Sequence, residues 1–288
     1  MNVLSDFASM VLKEVETGDA QWLKPWGVGE CKGLPVNGLT KKPYRGANIL
    51  ALLCTPFKSR EWYTFKQVSL VGGKVKRGSK GTKIFFFTLK EVVVKDDEDD
   101  ADEEHFYKVP VFKAYTVFNR EQIDGLPKED ITETLPEVST GEVFRDCESL
   151  MSLSQWYEDE TSAYYQPTED EIHVPSRRVF KDEQSFWGTC LHELGHWTGH
   201  ESRLSRVGIT TPSGFGTQKY AREELIAELT SWLMAVTLGT PHEPQQNGAY
   251  IRSWLQDFKD KPKEIYIAVN QAQKAVDYLL NEKAKLEC

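Results

Sequence analysis

No apolar run in this 288-residue chain reaches the roughly 18 to 20 residues needed to cross a bilayer, so no membrane role is expected. The opening stretch MNVLSDFASMVLKEVETGD lacks a basic flank followed by a cleavage site, which argues against a signal peptide. It reads instead as an amphipathic helix with Val3, Leu4, Phe7, Met10, Val11 and Val15 on one side. Cysteine is sparse: five residues, an odd number, scattered and without CxxC spacing. That argues against a disulfide frame and for reduced thiols in the cytoplasm. No repeat of 20 to 50 residues and no helix-turn-helix or zinc-finger spacing is present. Acid is missing from one region in particular. Between Lys32 and Lys83 stand twelve Lys and Arg against Glu61 alone, although the whole chain carries a net charge of −9. The compensating acids follow at once in DDEDDADEE, residues 96–104, a block that repels itself and is expected at a solvated hairpin tip.

The pattern of elements implies an α+β protein. A small mixed α/β domain is expected over residues 1–130, a linker rich in Pro, acids and Ser/Thr over 131–142, and a helix-rich domain with a small sheet over 143–288. In the first part NILALL and WYTFKQVSL are expected among loops and strands, followed by β-rich segments on both sides of the acid run. In the second part a helix is expected around CESLMSLSQWYED, then strands around SAYYQP and DEIHVP. A helix DEQSFWGTCLHELGHWTG follows, with Asp182 as its cap. A Gly/Ser/Thr-rich loop leads to the long helix YAREELIAELTSWLMAVTLG, and helices at 248–259 and 263–286 close the chain.

HELGH, residues 192–196, fits H-E-x-x-H on a helix. Residues four apart differ by about 40° around a helix and about 6 Å along it, so His192 and His196 can meet on one cation. Zinc suits two neutral nitrogens, with manganese or cobalt able to take the same site. Glu193, beside them, can take a proton from water and pass it to a leaving amine. His200 fits poorly: continued helix would put it about 12 Å from His192 along the axis. The metzincin pattern HExxHxxGxxH is matched through Gly199 and then shows Ser202 where the third histidine belongs, which leaves His200 a supporting or structural residue. His105, His173 and His242 have no partners at ligand spacing. The remaining ligand is sought at Glu224 and Glu228, one turn apart on the next long helix. Periodicity alone favours Glu228 as the more inward residue. Resemblance to glutamate zincins implies the reverse, with Glu224 the ligand and Glu228 orienting an imidazole.

The basic region interleaves cations with aromatic rings, the pairing that single-strand binders use to follow a backbone and stack bases. Trp22 and Trp26 flank Lys24; Lys41 and Lys42 precede Tyr44 and Arg45; Trp62, Tyr63 and Phe65 precede Lys66; Lys74, Lys76, Arg77, Lys80 and Lys83 complete the set. Single-stranded DNA is the expected partner, with little base readout.

The blocks QWLKPWG, NGLTKKPYRGANILALL, EWYTFKQ, GGKVKRGSKGTKIFFF and YTVFNREQIDGLP resemble, in that order, the N-terminal domain of ArdC-type antirestriction proteins of conjugative plasmids. HELGHWTGH, RLSR and YAREELIAEL resemble the zincin-like metallopeptidase domain that accompanies it. The resemblance spans nearly the whole chain. It implies single-stranded DNA binding, a metallopeptidase fold acting on an unidentified protein (a restriction component being one candidate), and protection of incoming plasmid DNA. Two other functions use the same ingredients: a protein that only coats single strands and keeps a vestigial or structural metal site, and a protease for DNA–protein crosslinks.

Overall fold

A computed structural model describes residue 9 and residues 34–53, 55–94, 105–127, 140–211, 217–239, 258 and 261–287. The expected N-terminal helix, Trp22, Lys24, Trp26, the acid run 96–104, most of 131–142 and nearly all of 248–259 lie outside the described residues.

The basic half is built on a four-stranded sheet. Strand β1 (Val36–Asn37) runs parallel to β2 (Glu61–Thr64). Between them lies α1 (Ala47–Leu53), and after β2 come α2 (Phe65–Leu70) and the short β3 (Lys74–Val75). The long strands β4 (Thr82–Val94) and β5 (His105–Asn119) pair antiparallel from Thr82↔Val117 to Val94↔His105, and β5 also pairs with β2. The sheet order is β1-β2-β5-β4; β6 (Ile123–Asp124) pairs with β3 in a separate ribbon. Because β2 meets β5 only at Val117–Asn119, the rest of the β4–β5 pair runs on as a two-stranded ribbon.

Two segments expected among loops and strands are helices. ANILALL forms α1, buried from Ala47 to Leu52, and an apolar run that is covered all round carries no periodicity to separate helix from strand. In WYTFKQVSL the strand stops at Thr64, whose side chain accepts from the Gln67 backbone while the Gln67 side chain accepts from the Thr64 backbone. This capping box starts α2. The sole acid of the basic segment, Glu61, is buried and accepts from the Tyr63 hydroxyl at 2.7 Å, from Arg120 Nη1 at 2.7 Å and from Lys41. Burial would raise its pKa, but these donors hold it below the usual carboxylate range.

The second half opens with α3 (Thr140–Met151). The helix expected to continue through QWYED stops there: Ser152 and Ser154 hydroxyls fold back onto the carbonyls of Ser149 and Met151. Gln155–Glu160 is strand β7, which pairs parallel with β9 (Glu171–Pro175), itself antiparallel to β8 (Tyr164–Gln166). Helix α4 (Glu183–Trp197) starts where Asp182 accepts from the Ser185 backbone at 2.7 Å. It packs on β8, β9 and the long α6 (Gln218–Leu238), with the short α5 (Val207–Thr210) between. Helix α7 (Pro262–Leu286) lies against α6 and reaches the other half. There Gln273 accepts from the Gly46 backbone at 2.9 Å, and Arg45 pairs with Asp277. One apolar core therefore runs through both halves, from Trp62, Ile84 and Val117 to Leu191, Leu229, Trp232 and Leu279. Among the described residues no helix is long and apolar enough to cross a membrane.

Candidate metal centre and nucleic-acid face

Helix α4 buries Phe186, Trp187, Cys190, Leu191 and Leu194, and α6 answers with Leu225, Ile226, Leu229 and Trp232. Burial of these stripes sets the two helices side by side and turns the histidine edge of α4 toward the acid edge of α6. Nε2 of His192 and Nε2 of His196 are 3.2 Å apart. The Glu224 carboxylate lies 3.6 Å from the first and 3.7 Å from the second. Tetrahedral bonds of about 2.1 Å would separate ligand atoms by about 3.4 Å, so these three groups fit a divalent cation. Among the described residues they form the one cluster with metal-ligand spacing.

The other nitrogens face acids as well. His192 Nδ1 is 3.3 Å from Glu228 Oε1, out of hydrogen-bond alignment, and His196 Nδ1 is 3.4 Å from Glu223 Oε1. Glu224 thus faces both Nε2 atoms, while Glu228 stands behind His192. The sequence pattern does not single out Glu223, since it shares its stretch of helix with Glu224. What marks it is the buried Arg206 on its far side, 17 residues earlier in the chain. His200 closes its own turn, with Nδ1 2.8 Å from the Ser202 hydroxyl, and is not part of the cluster.

Burial alone would depress both imidazoles. For His192 the charge of Glu228, with Glu224 beside it, reverses that and pushes the pKa well above its ordinary value. For His196 burial is outweighed by hydrogen bonds to Glu223 and Glu224, which lift it to about 9. Glu224 would be raised by burial, yet the two imidazoles hold it well below the carboxylate range. Glu193 is buried, and that burial raises it despite the neighbouring histidines.

On the basic half, burial separates two kinds of residue. Trp62, Tyr63 and Tyr44 are 2%, 3% and 8% exposed, so the expectation that they stack bases is corrected: their faces are spent on the core. Lys41 pairs with Glu61 and Arg45 with Asp277, so both have structural partners. Lys76 donates to the Glu121 carbonyl at 2.8 Å. Lys42, Lys66, Lys74, Arg77, Lys80 and Lys83 are exposed. Among the described residues of this half, the large rings that do face solvent are Phe65 (65%), Phe86 (47%) and Tyr115 (46%). Phe65 meets Phe118 edge-on at 6.4 Å, and Phe86 meets Tyr115 edge-on at 5.3 Å. Composition did not point to Phe86 and Tyr115 because they lie beyond and beside the lysine-rich stretch.

The family model "N-terminal domain of anti-restriction factor ArdC" matches residues 1–118, and the model "zincin-like metallopeptidase" matches residues 150–271. A DNA primase TraC of Escherichia coli is 36% identical over 95% of this chain; the chain spans 26% of that primase's length. The crystal structure of antirestriction protein ArdC from plasmid R388 in its metal-free form is 32% identical, covers 99% of both chains and superposes with a TM-score of 0.75. Its Mn(II)-bound form is 31% identical, again over 99% of both chains, with a TM-score of 0.74. With both domains matched in order and the whole length shared with a solved relative, the chain belongs to the ArdC antirestriction family.

Proposed function

We propose that this protein is a metal-dependent peptidase joined to a single-stranded DNA-binding half, and that it protects incoming plasmid DNA from host restriction. The observation that carries the peptidase reading is the convergence of His192, His196 and Glu224 with Glu193 buried beside them. The Mn(II)-bound form of the ArdC relative supports binding of a divalent cation, and zinc, manganese and cobalt all suit the donor set of His192, His196 and Glu224. When bound, such a cation supplies Lewis-acid polarisation and acidifies water. Glu193 holds the proton taken from that water and delivers it to the leaving amine, a task that its burial-raised pKa favours. Glu228 steadies His192, and Glu224 completes the ligand set. Equilibrium dialysis should find one cation per chain in the wild type and in Glu228→Ala, and none in Glu224→Ala. Metal lost from Glu228→Ala but kept by Glu224→Ala would reverse the assignment.

Protons compete for this site. In the metal-free chain His196 gains stability from its proton, a contribution fully present below pH 6.5 and lost as pH rises through about 9. Metal affinity runs the other way, because the cation takes the deprotonated ring. Apparent affinity should climb by about tenfold per pH unit for each proton displaced, with the contribution of His196 levelling off near pH 9. Calorimetry in buffers of different ionisation enthalpy reads the proton release directly; affinity flat from pH 6.5 to 9 contradicts it.

The exposed lysines and rings support single-strand binding. Neutralising about four phosphates at a slope of about −0.7 each predicts roughly 50-fold weaker binding at 200 than at 50 mM salt. Phe65→Ala should cost about 1 to 3 kcal/mol of affinity for oligothymidylate without changing that slope, since a stacking ring carries no charge. A protein that only coats single strands shows this DNA behaviour and still protects when Glu193 is replaced.

A further inference from the structure

We propose that Arg206 is a positioning residue for the metal centre, acting through Glu223 on the His196 imidazole. The inference rests on reading His192, His196 and Glu224 as the metal site. Arg206 is buried, and its guanidinium is spent on two targets. On one side Nε lies 3.1 Å from both Glu223 oxygens and Nη2 lies 2.6 Å from Oε1. On the other, Nη1 donates to the Thr198 hydroxyl at 2.7 Å and Nη2 to the Gly195 carbonyl at 2.7 Å. The second set satisfies carbonyl and hydroxyl oxygens at the C-terminal end of α4, where helix carbonyls have no partner of their own. Arg206 thus ties the end of the histidine helix to the carboxylate that faces His196.

The chain around it is shaped for this contact. After α4 it turns back through Leu204 N–H to the Thr198 carbonyl, Ser205 N–H to the His200 carbonyl and Arg206 N–H to the Gly199 carbonyl. Ser205 sits at φ 46°, a left-handed conformation that residues other than glycine seldom adopt. A Cβ on Gly199 would stand 2.8 Å from Arg206 Nη2, and one on Gly208 would stand 2.8 Å from Glu223 Oε2. Both glycines leave the room that the guanidinium and the carboxylate fill. Arg203, three residues earlier, does something else: it stacks on Trp197 at 3.8 Å and pairs with Asp170. The two arginines of RLSR therefore brace the helix end on different sides, and only Arg206 reaches the metal centre.

The chemical consequence follows from the imidazole's two nitrogens. A carboxylate at Nδ1 holds the proton there and leaves the Nε2 lone pair facing His192 and Glu224. A planar guanidinium presents several donors in a fixed fork, and Arg206 uses it to hold both Glu223 oxygens in one orientation. Without Arg206, the Glu223 carboxylate loses the donors that hold it in place, and His196 loses the acceptor that fixes its ring.

The test is chelator competition for Zn(II) with the full chain, in the wild type, Arg206→Met, Glu223→Gln and the double variant. Each single change should weaken zinc binding about 10- to 100-fold, the usual effect of losing a partner behind a metal ligand. The double variant should lose no more than the worse single, because both act on one ring. The visible spectrum of the Co(II)-loaded protein should shift in both singles. Should Arg206→Met fail to fold, Glu223→Gln and Gly208→Ala disturb the same contact with smaller changes. Unaltered zinc affinity in folded variants, or losses that add, overturns the proposal. A wild-type chain that takes up no divalent cation removes the metal reading itself, and this proposal with it.

Discussion

Glu193→Gln should lower hydrolysis of an unfolded protein substrate by about 100- to 10,000-fold, the range spanned by a missing general base or acid. Zinc affinity should stay within a few-fold of wild type, because Glu193 is not among the three groups at ligand spacing. The fold should tolerate the change as well. Glu193 is buried close to Glu224 and Glu228, both of which raise its pKa further, so the neutral amide removes like-charge repulsion. Pairing this assay with restriction of an incoming plasmid in cells decides whether the proposed hydrolysis serves protection. If protection falls with hydrolysis, proteolysis is the mechanism of protection. Full protection by Glu193→Gln assigns protection to the basic half and overturns the proteolytic reading.

Trp62→Ala should destabilise the folded chain by about 3 to 5 kcal/mol, the cost of emptying a fully buried tryptophan site. Trp62 is 2% exposed, meets Phe57 edge-on at 5.7 Å and belongs to the core that continues into the zincin-like half. The midpoint of denaturant unfolding measures this loss. DNA affinity of the fraction that stays folded should change little, whereas Phe65→Ala should show the opposite profile: weaker DNA binding with nearly intact stability. A stable Trp62→Ala protein that has lost single-strand binding would return Trp62 to the DNA surface.

That contrast marks where sequence patterns stop informing. Lysines next to aromatic rings read as a binding surface whether the rings point outward or inward. In EWYTF, β2 buries Trp62 and Tyr63, with the sheet covered on both sides at this point by the main core and by the small cluster around Val68 and Ile123. Local alternation therefore says nothing about which ring faces solvent. ANILALL illustrates the same limit for secondary structure, because a short run buried all round has no polar side to reveal its period. QWYED lies next to a helical pattern and reads as its continuation, although the pairing of Gln155–Glu160 with Glu171–Pro175 makes it a strand.

Short-range chemistry was legible from the chain itself. The Asp182 cap, the helix carrying HELGH and the long acid-bearing helix depend on contacts within a few residues, so spacing and capping sufficed to place them. The lack of acid between Lys32 and Lys83 likewise needed only counting. Contacts between distant segments were another matter. Periodicity along α6 leaned toward Glu228 as the inward residue, and it is the crossing of α4 and α6 that turns Glu224 to both Nε2 atoms and sets Glu228 behind His192. Arg206 and Glu223 meet only because the chain reverses at Gly199 and Ser205. The sequence by itself determined the helix that carries HELGH and the charge layout, since both are set by neighbours along the chain. The ligand geometry, the buried brace and the rings left open to solvent were decided by tertiary packing, which alone fixes which side of each element is covered.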